Sequence, residues 1–492
     1  MRIASLTSLA LLGTVYALPT LILPWFGHIQ LDSLLNGLSY SRLDGEKTIY
    51  QILKEDENFS RLVKAIDLNE RVVEFLDDPA QSVTFFAVPN SGLPGHGRHD
   101  EKVDNVCHAR PINDLEHLIL QVEQLDHLSD TEDREKRKEC LARLVHAVLS
   151  YHTLPEKYTS AQLHENSTFA TKLTLKDGSF DHQPLRISVQ SKILPPKLKI
   201  NFYAGVTQHD IEASNGVIHH ITRPLLPPPS IFQEAFLFPR AFSFVTSAIQ
   251  RVHLTGAVDR WYVPGEDHTH GSFHGATSTT FFAPTSAAFH RLPRKLQLFL
   301  LSPFGERALK KLLEFHIIPN FVLFSDYVHN ATSEESTMTD LTIDPRAAQY
   351  HTNLPELPMA PLDDIMLEHH HKKHTPLPEP AYEYNVTLPT LLTNHSIHVN
   401  VARYESKLPL PGCLRSFTRF KVNGVAVVPF DVPARNGALQ VIHRLLDPRK
   451  HHGRHGHGHH DHDHDREHLM EDEVDASWDD WEEWLPQWAS EN

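Results

Sequence analysis

The spacing of hydrophobic positions changes period several times along this chain. Ile49, Ile52, Leu53, Phe59, Leu62, Val63 and Ile66 recur at helical intervals, which predicts a helix over residues 47–66. Residues 83–87, Val-Thr-Phe-Phe-Ala, form a short run bounded by turn formers and predict a buried strand. Leu141 to Leu149 returns to helical spacing and should stop near Pro155, which cannot continue a helix. Asn215-Gly216 and Asn436-Gly437 predict turns, each followed by an apolar run, 217–221 and 438–442. Helices and strands mix within one unit, so the domain is α/β or α+β.

The pattern occurs twice. Thr48-Ile49-Tyr50-Gln51 returns as Ser230-Ile231-Phe232-Gln233, and Phe59-Ser60 with Ile66 as Phe242-Ser243 with Ile249. Thr84-Phe85-Phe86-Ala87-Val88-Pro89 returns as Thr280-Phe281-Phe282-Ala283-Pro284-Thr285. Tyr151-His152-Thr153-Leu154-Pro155 returns as Phe315-His316-Ile317-Ile318-Pro319, and the segment 210–216 as 431–437. Five blocks keep one order, at offsets of 182, 183, 196, 164 and 221. The changing offset places 14 extra residues in the second copy before its Phe-Phe strand. It places 32 in the first copy between Leu93 and His152, and 57 in the second between His316 and Asn436. The two long insertions read as loops, and the density of prolines between Pro355 and Pro380 excludes helix and central strand there.

These blocks resemble the fasciclin domain. The likeness lies in Thr280 to Thr285, in Tyr151-His152 at a helix end, and in Asn215-Gly216-Val217-Ile218-His219. It covers about residues 44–228 and 229–449, after an N-terminal segment 18–43. Three departures stand out: Val88-Pro89 in the first copy, and Phe315 and Gln440 in the second. The resemblance implies an α+β fold, a wedge of β-sheet with packed helices. It also implies a non-catalytic role in adhesion or binding, with cell-surface, wall or matrix glycoproteins, polysaccharides or a membrane surface as partners, and with self-association. Tyr151, His152, Phe315 and His316 are the candidate partner contacts; the competing reading is a pair of core histidines bonded to backbone. Asp210 and Asp431, five residues before Asn-Gly, read as local turn caps rather than catalytic carboxylates. The insertions and tail give the chain a fungal cast.

Composition adds the compartment. Arg2, the apolar run Ile3–Val15 and Val15-Tyr16-Ala17 read as a signal peptide over residues 1–17, with an uncleaved anchor as the alternative. The expected location is extracellular or cell wall, with a vacuole lumen as the alternative. Five sequons follow, at Asn58, Asn166, Asn330, Asn385 and Asn394. Asn330, beside the long insertion, is expected to be well glycosylated; Asn58, inside the predicted helix, poorly. Cys107 and Cys140 are the pair expected to bridge, leaving Cys413. The net charge of −16 with neutral histidine argues against nucleic-acid binding.

The 37 histidines are unusual in number. They predict a charge that reverses as the medium acidifies towards pH ~5. Nine sit in the tail 450–492: His451, His452, His455, His457, His459, His460, His462, His464 and His468, interleaved with Asp461, Asp463 and Asp465. Imidazole with carboxylate suits loose binding of Zn, Cu or Ni and supports a metal-handling alternative; a polar spacer is the competing reading. No cofactor is otherwise expected. Trp478, Trp481, Trp484 and Trp488 follow, spaced for one face of a short helix that docks on a partner or back on the domains.

Overall fold

The computed structural model describes residues 46–93, 131–193, 196–263, 271–331, 341–342, 380–407, 414–451 and 475–491. The signal segment, Cys107, Cys413 and His452 to His468 lie outside the described residues, so the bridge and the metal tail are not addressed. No helix among the described residues is long and apolar enough to cross a membrane.

In the first repeat, helix α1 (Ile49–Glu55) begins at a capping box. Thr48 Oγ1 accepts from Gln51 N, and the Gln51 side chain accepts from Thr48 N. The periodic run 47–66 is not one helix. Asp56 accepts from Asn58 N, turns the chain through a 3-10 turn Glu57–Phe59, and a second helix, α2 (Ser60–Ile66), follows. Asn58 is therefore exposed, while Asn330 is half-buried in strand β13 (Tyr327–Asn330). The exposures are thus the opposite of those from which the expected occupancies were argued. Helix α3 (Glu70–Asp77) and the long helix α4 (Thr131–Tyr151) complete the helical layer.

Strand β1 (Val83–Ala87) is buried on both faces, which is why its residues are apolar without alternation. It pairs antiparallel with β2 (Thr153–Leu154) and parallel with β7 (Gly216–Ile221). The sheet continues through β6 (Ala204–Ala213), β5 (Pro196–Ile200) and β4 (Pro184–Ile193) to β3 (Thr168–Thr174), in the order β2-β1-β7-β6-β5-β4-β3.

The second repeat rebuilds this plan. Its helices are α5 (Ile231–Leu237), α6 (Pro239–Arg251), α7 (Thr255–Val258), α8 (Ser286–His290), α9 (Arg294–Leu300) and α10 (Glu306–Phe315). Strand β10 (Thr279–Pro284) again lies between an antiparallel partner, β11 (Ile317–Pro319), and a parallel one, β20 (Gly437–Ile442). The glycines at the starts of β7 and β20 are forced by that parallel pairing. A Cβ on Gly216 would sit 2.0 Å from Val83 O, and one on Gly437 1.9 Å from Thr279 O.

The insertions are partly structured. The extra length before β10 is accommodated by a hairpin, β8 (Arg260–Val263) with β9 (Ser272–Gly275). The end of the long insertion is not loop. Strand β15 (Pro380–Pro389) pairs with β16 (Ser396–Lys407), which pairs with β17 (Leu414–Val422). It is an edge strand with prolines at its two ends, the placement that proline permits.

The tail returns to the body. Helix α11 (Trp481–Ser490) and the turn before it pack on the second repeat's helical layer, burying Trp478, Trp481 and Leu485. Arg449 holds the turn through Asp480 (2.6 Å) and Ser477 O (3.1 Å) and lies over the Trp484 ring, 4.2 Å from its centre. Lys311 donates to Trp488 O (2.7 Å) and Glu491 O (2.6 Å). Of the two dockings expected for this tryptophan face, the intramolecular one is present.

Candidate functional site

The Tyr-His motif comes first because the sequence singles it out. Leu225 N donates to His152 Nε2 at 2.9 Å, so the ring proton is on Nδ1, which donates to Val148 O at 2.7 Å. His316 does the same with Leu446 N (3.0 Å) and Leu312 O (2.6 Å). Both imidazoles are enclosed, and burial pushes both down to about 4, so they are neutral at pH 7. The Tyr151 hydroxyl donates to Arg186 O and accepts from Asn201 Nδ2. Tyr151, His152, Phe315 and His316 expose at most 2% of their surface. They are enclosed side chains that tie a helix end to a distant strand exit, so direct partner contact at these four is replaced by a structural role.

The closing positions show how closely the repeats correspond. Asp210 N donates to His219 Nδ1 (3.3 Å), and His219 Nε2 donates to Tyr158 O (2.9 Å). In the second repeat Asp431 N donates to the Gln440 carbonyl oxygen (2.8 Å), and Gln440 Nε2 donates to Leu323 O (2.8 Å). Gln440 thus reproduces the donor and acceptor of the missing histidine. Asp210 and Asp431 are not caps of the Asn-Gly turn. Asp210 accepts from the backbone and hydroxyl of Ser160, and Asp431 from those of Ser325, far away in sequence.

Asp431 also belongs to a polar seam between the repeats. Thr168 of the first repeat donates to Asp326 through its N–H (2.7 Å) and its hydroxyl (2.6 Å), and Arg186 Nε donates to Thr168 Oγ1 (2.9 Å). Arg186 is buried and stacks on Tyr327, 4.0 Å from the ring centre. Burial, then the nearby Asp326 carboxylate, raises Asp431 to about 7. At the other end of the seam Asp177 meets Arg435 and Arg260, and His329 meets Asp181 at 3.1 Å. Burial pushes the Asp177 carboxyl up, but the Arg435 charge and the Ser179 and Arg435 bonds outweigh it and leave the group below its ordinary value. Val322, Phe324, Tyr327 and Ala438 join the first repeat's apolar core, so apolar packing and ions bridge the repeats together. None of Arg186, Asp326 or Arg435 was singled out by sequence, because each has a partner in the other repeat that no local pattern reveals.

The outward surface is asymmetric. Helices α1 and α5 have equal length and equivalent caps, Thr48 and Ser230 at one end, Asp56 and Phe238 at the other. Where the first repeat carries Lys54, Glu55 and Asp56, the second carries Phe236, Leu237 and Phe238, each more than half exposed. Leu298 projects from α9, Leu301 and Phe304 from the turn between α9 and α10, and Trp261, Tyr262 and Val263 from the β8 hairpin. No group of three or more potential metal ligands occurs among the described residues.

Comparison with known proteins places this geometry. The fasciclin domain family matches residues 126–227 and 241–356. Aurofusarin biosynthesis cluster protein S of Gibberella zeae is 30% identical over 147 residues, 30% of this chain and only 32% of that protein's length. Protein sll1483 of Synechocystis is 26% identical over 227 residues, 46% of this chain and 97% of that protein. A solved FAS1 domain pair from the insect cell adhesion molecule fasciclin I aligns with 79% of this chain and 97% of its own, at 15% identity and a TM-score of 0.26. A score that low says nothing about how the two repeats sit together. The matched family stretches fall one in each repeat, and the α+β plan is built twice around them, so the chain carries two repeats similar to the fasciclin domain.

Proposed function

We propose that this protein is a secreted or lumenal adhesion or binding protein, whose repeats hold cell-surface, wall or matrix partners without carrying out chemistry. The observation that carries this reading is the asymmetric surface. The fold accepts Lys54-Glu55-Asp56 at the end of α1, so Phe236-Leu237-Phe238 at the same place on α5 is not demanded by folding. Apolar side chains kept in water without a folding reason mark an interaction surface. The enclosed motif histidines supply no poised acid or base, since each has both ring nitrogens committed to backbone. The test is adhesion of beads coated with the full chain to cells, wall polysaccharide and matrix glycoprotein. Specific, saturable capture supports the reading; absence of capture on every surface contradicts it.

A further inference from the structure

The turn between α9 and α10 has a surface chemistry of its own. Phe304 is 88% exposed, Leu298 64% and Leu301 44%. The turn is held rigidly beneath them. Ser302 Oγ donates to Phe299 O (2.7 Å) and accepts from Gly305 N (3.3 Å). A Cβ on Gly305 would lie 2.0 Å from Phe299 O, so the backbone there is packed tight. Arg251, at the end of α6, donates to Leu301 O. The apolar side chains are therefore presented on a convex, pre-shaped knuckle, and not on a groove or a loose strand.

Charge says what this knuckle suits. Residues 294–311 carry Arg294, Lys295, Arg307, Lys310 and Lys311 against Glu306 alone, on a chain whose net charge is −16. Lys295 reaches Glu482 of the docked tail at 3.4 Å, and Lys310 reaches Glu314 at 3.9 Å. Lys311 is engaged with the tail's last carbonyls. Arg294 and Arg307 are exposed and make no ion pair among the described residues. Exposed apolar tips beside the exposed Arg294 and Arg307 fit the interface of a bilayer bearing anionic headgroups, where apolar side chains enter the acyl boundary and basic ones meet phosphate and carboxylate.

We propose that the second repeat docks on anionic lipid surfaces through Leu298, Leu301 and Phe304, with Arg294 and Arg307 as its electrostatic contacts. This rests on the binding reading above and names one partner for it. The experiment is co-sedimentation of the full chain with vesicles of phosphatidylcholine alone, or mixed with phosphatidylserine, at low and high salt. The expected result is binding to the mixed vesicles that weakens as salt rises. Leu301→Ser/Phe304→Ser should lose about tenfold in affinity, and Arg294→Glu/Arg307→Glu about tenfold on mixed vesicles only. All these residues are exposed, and unchanged melting would show that the variants are folded. Undiminished binding by the serine variant, equal binding to neutral vesicles, or no binding to mixed vesicles overturns the proposal. So does a wild-type dimer that the serine variant dissolves while neither binds lipid, which would make the knuckle a contact between copies. Bead adhesion retained alongside a failed vesicle experiment leaves the general binding reading standing.

Discussion

Replacing Arg186 by methionine isolates the seam that joins the two repeats. Methionine keeps most of the apolar stem and removes the cation. Three things are then lost: the bond to Thr168, the stacking over Tyr327, and the positive charge facing Asp326 and Asp431. Removing one partner from a buried charge cluster costs about 3–5 kcal/mol. The link to Asp326 runs through the Thr168 hydroxyl, which favours the lower end, about 3 kcal/mol. The loss should depend on pH. Asp431 already sits at about 7 in the folded chain, against an ordinary carboxylate value in the unfolded one. A raised carboxyl favours folding when protonated, a contribution present at low pH and lost as pH rises through about 7. Without Arg186 that carboxyl rises further, so the variant should be worst near pH ~8 and recover part of its deficit near pH ~5. Guanidinium unfolding at both pH values is the assay, with Arg186→Met/Asp326→Asn expected to regain part of the loss. A deficit below about 1 kcal/mol, or one equal at both pH values, would refute the account of the seam.

Other outcomes follow from the same contacts. Trp478→Ala should destabilise the second repeat by about 2–3 kcal/mol, less than a usual tryptophan deletion because the buried Trp478 Nε1 has no hydrogen-bond partner among the described residues; chemical unfolding and proteolysis of residues 475–491 would read it. His316→Gln should flatten acid destabilisation. The folded histidine at about 4 takes its proton later than the unfolded chain, so between pH ~6.5 and 4 wild type loses up to about 3 kcal/mol through this residue, a share absent from the variant while the other buried histidines still contribute theirs. Glycopeptide analysis of secreted material should find Asn58, Asn385 and Asn394, all exposed, more fully occupied than Asn330, which is half-buried in a paired strand.

The sequence was most informative where one residue type meets one geometric need. Asn-Gly marked both parallel strand starts because only glycine fits against Val83 O and Thr279 O. The Phe-Phe strand was readable because burial on both faces removes alternation. Local competition was less legible. Asp56 breaks the 47–66 helix by capping a turn, while the apolar spacing continues undisturbed across the break. Strand β15 hid among prolines that edge position tolerates. The seam was invisible because Asp326 and Arg435 pair with residues of the other repeat, and Arg186, bonded to Thr168 in its own repeat, lies over Tyr327 of the other. The motif histidines were conspicuous, but burial gives them the opposite of an exposed role. Burial also holds His146, His164, His219, His220 and His443 below their ordinary value, as it does the motif pair, which weakens the charge reversal expected from histidine count alone.

The central claim is that binding belongs to the second repeat's outward apolar surface and not to the buried Tyr-His motif. Grafting the first repeat's residues, Phe236→Lys/Leu237→Glu/Phe238→Asp, should leave folding intact because α1 carries them in the same position. Adhesion of coated beads should then be compared for wild type, this graft and His316→Gln at neutral pH, with folding checked for each. The account predicts that the folded graft loses adhesion while folded His316→Gln keeps it. A graft that adheres like wild type, beside a folded His316→Gln that does not, would contradict it.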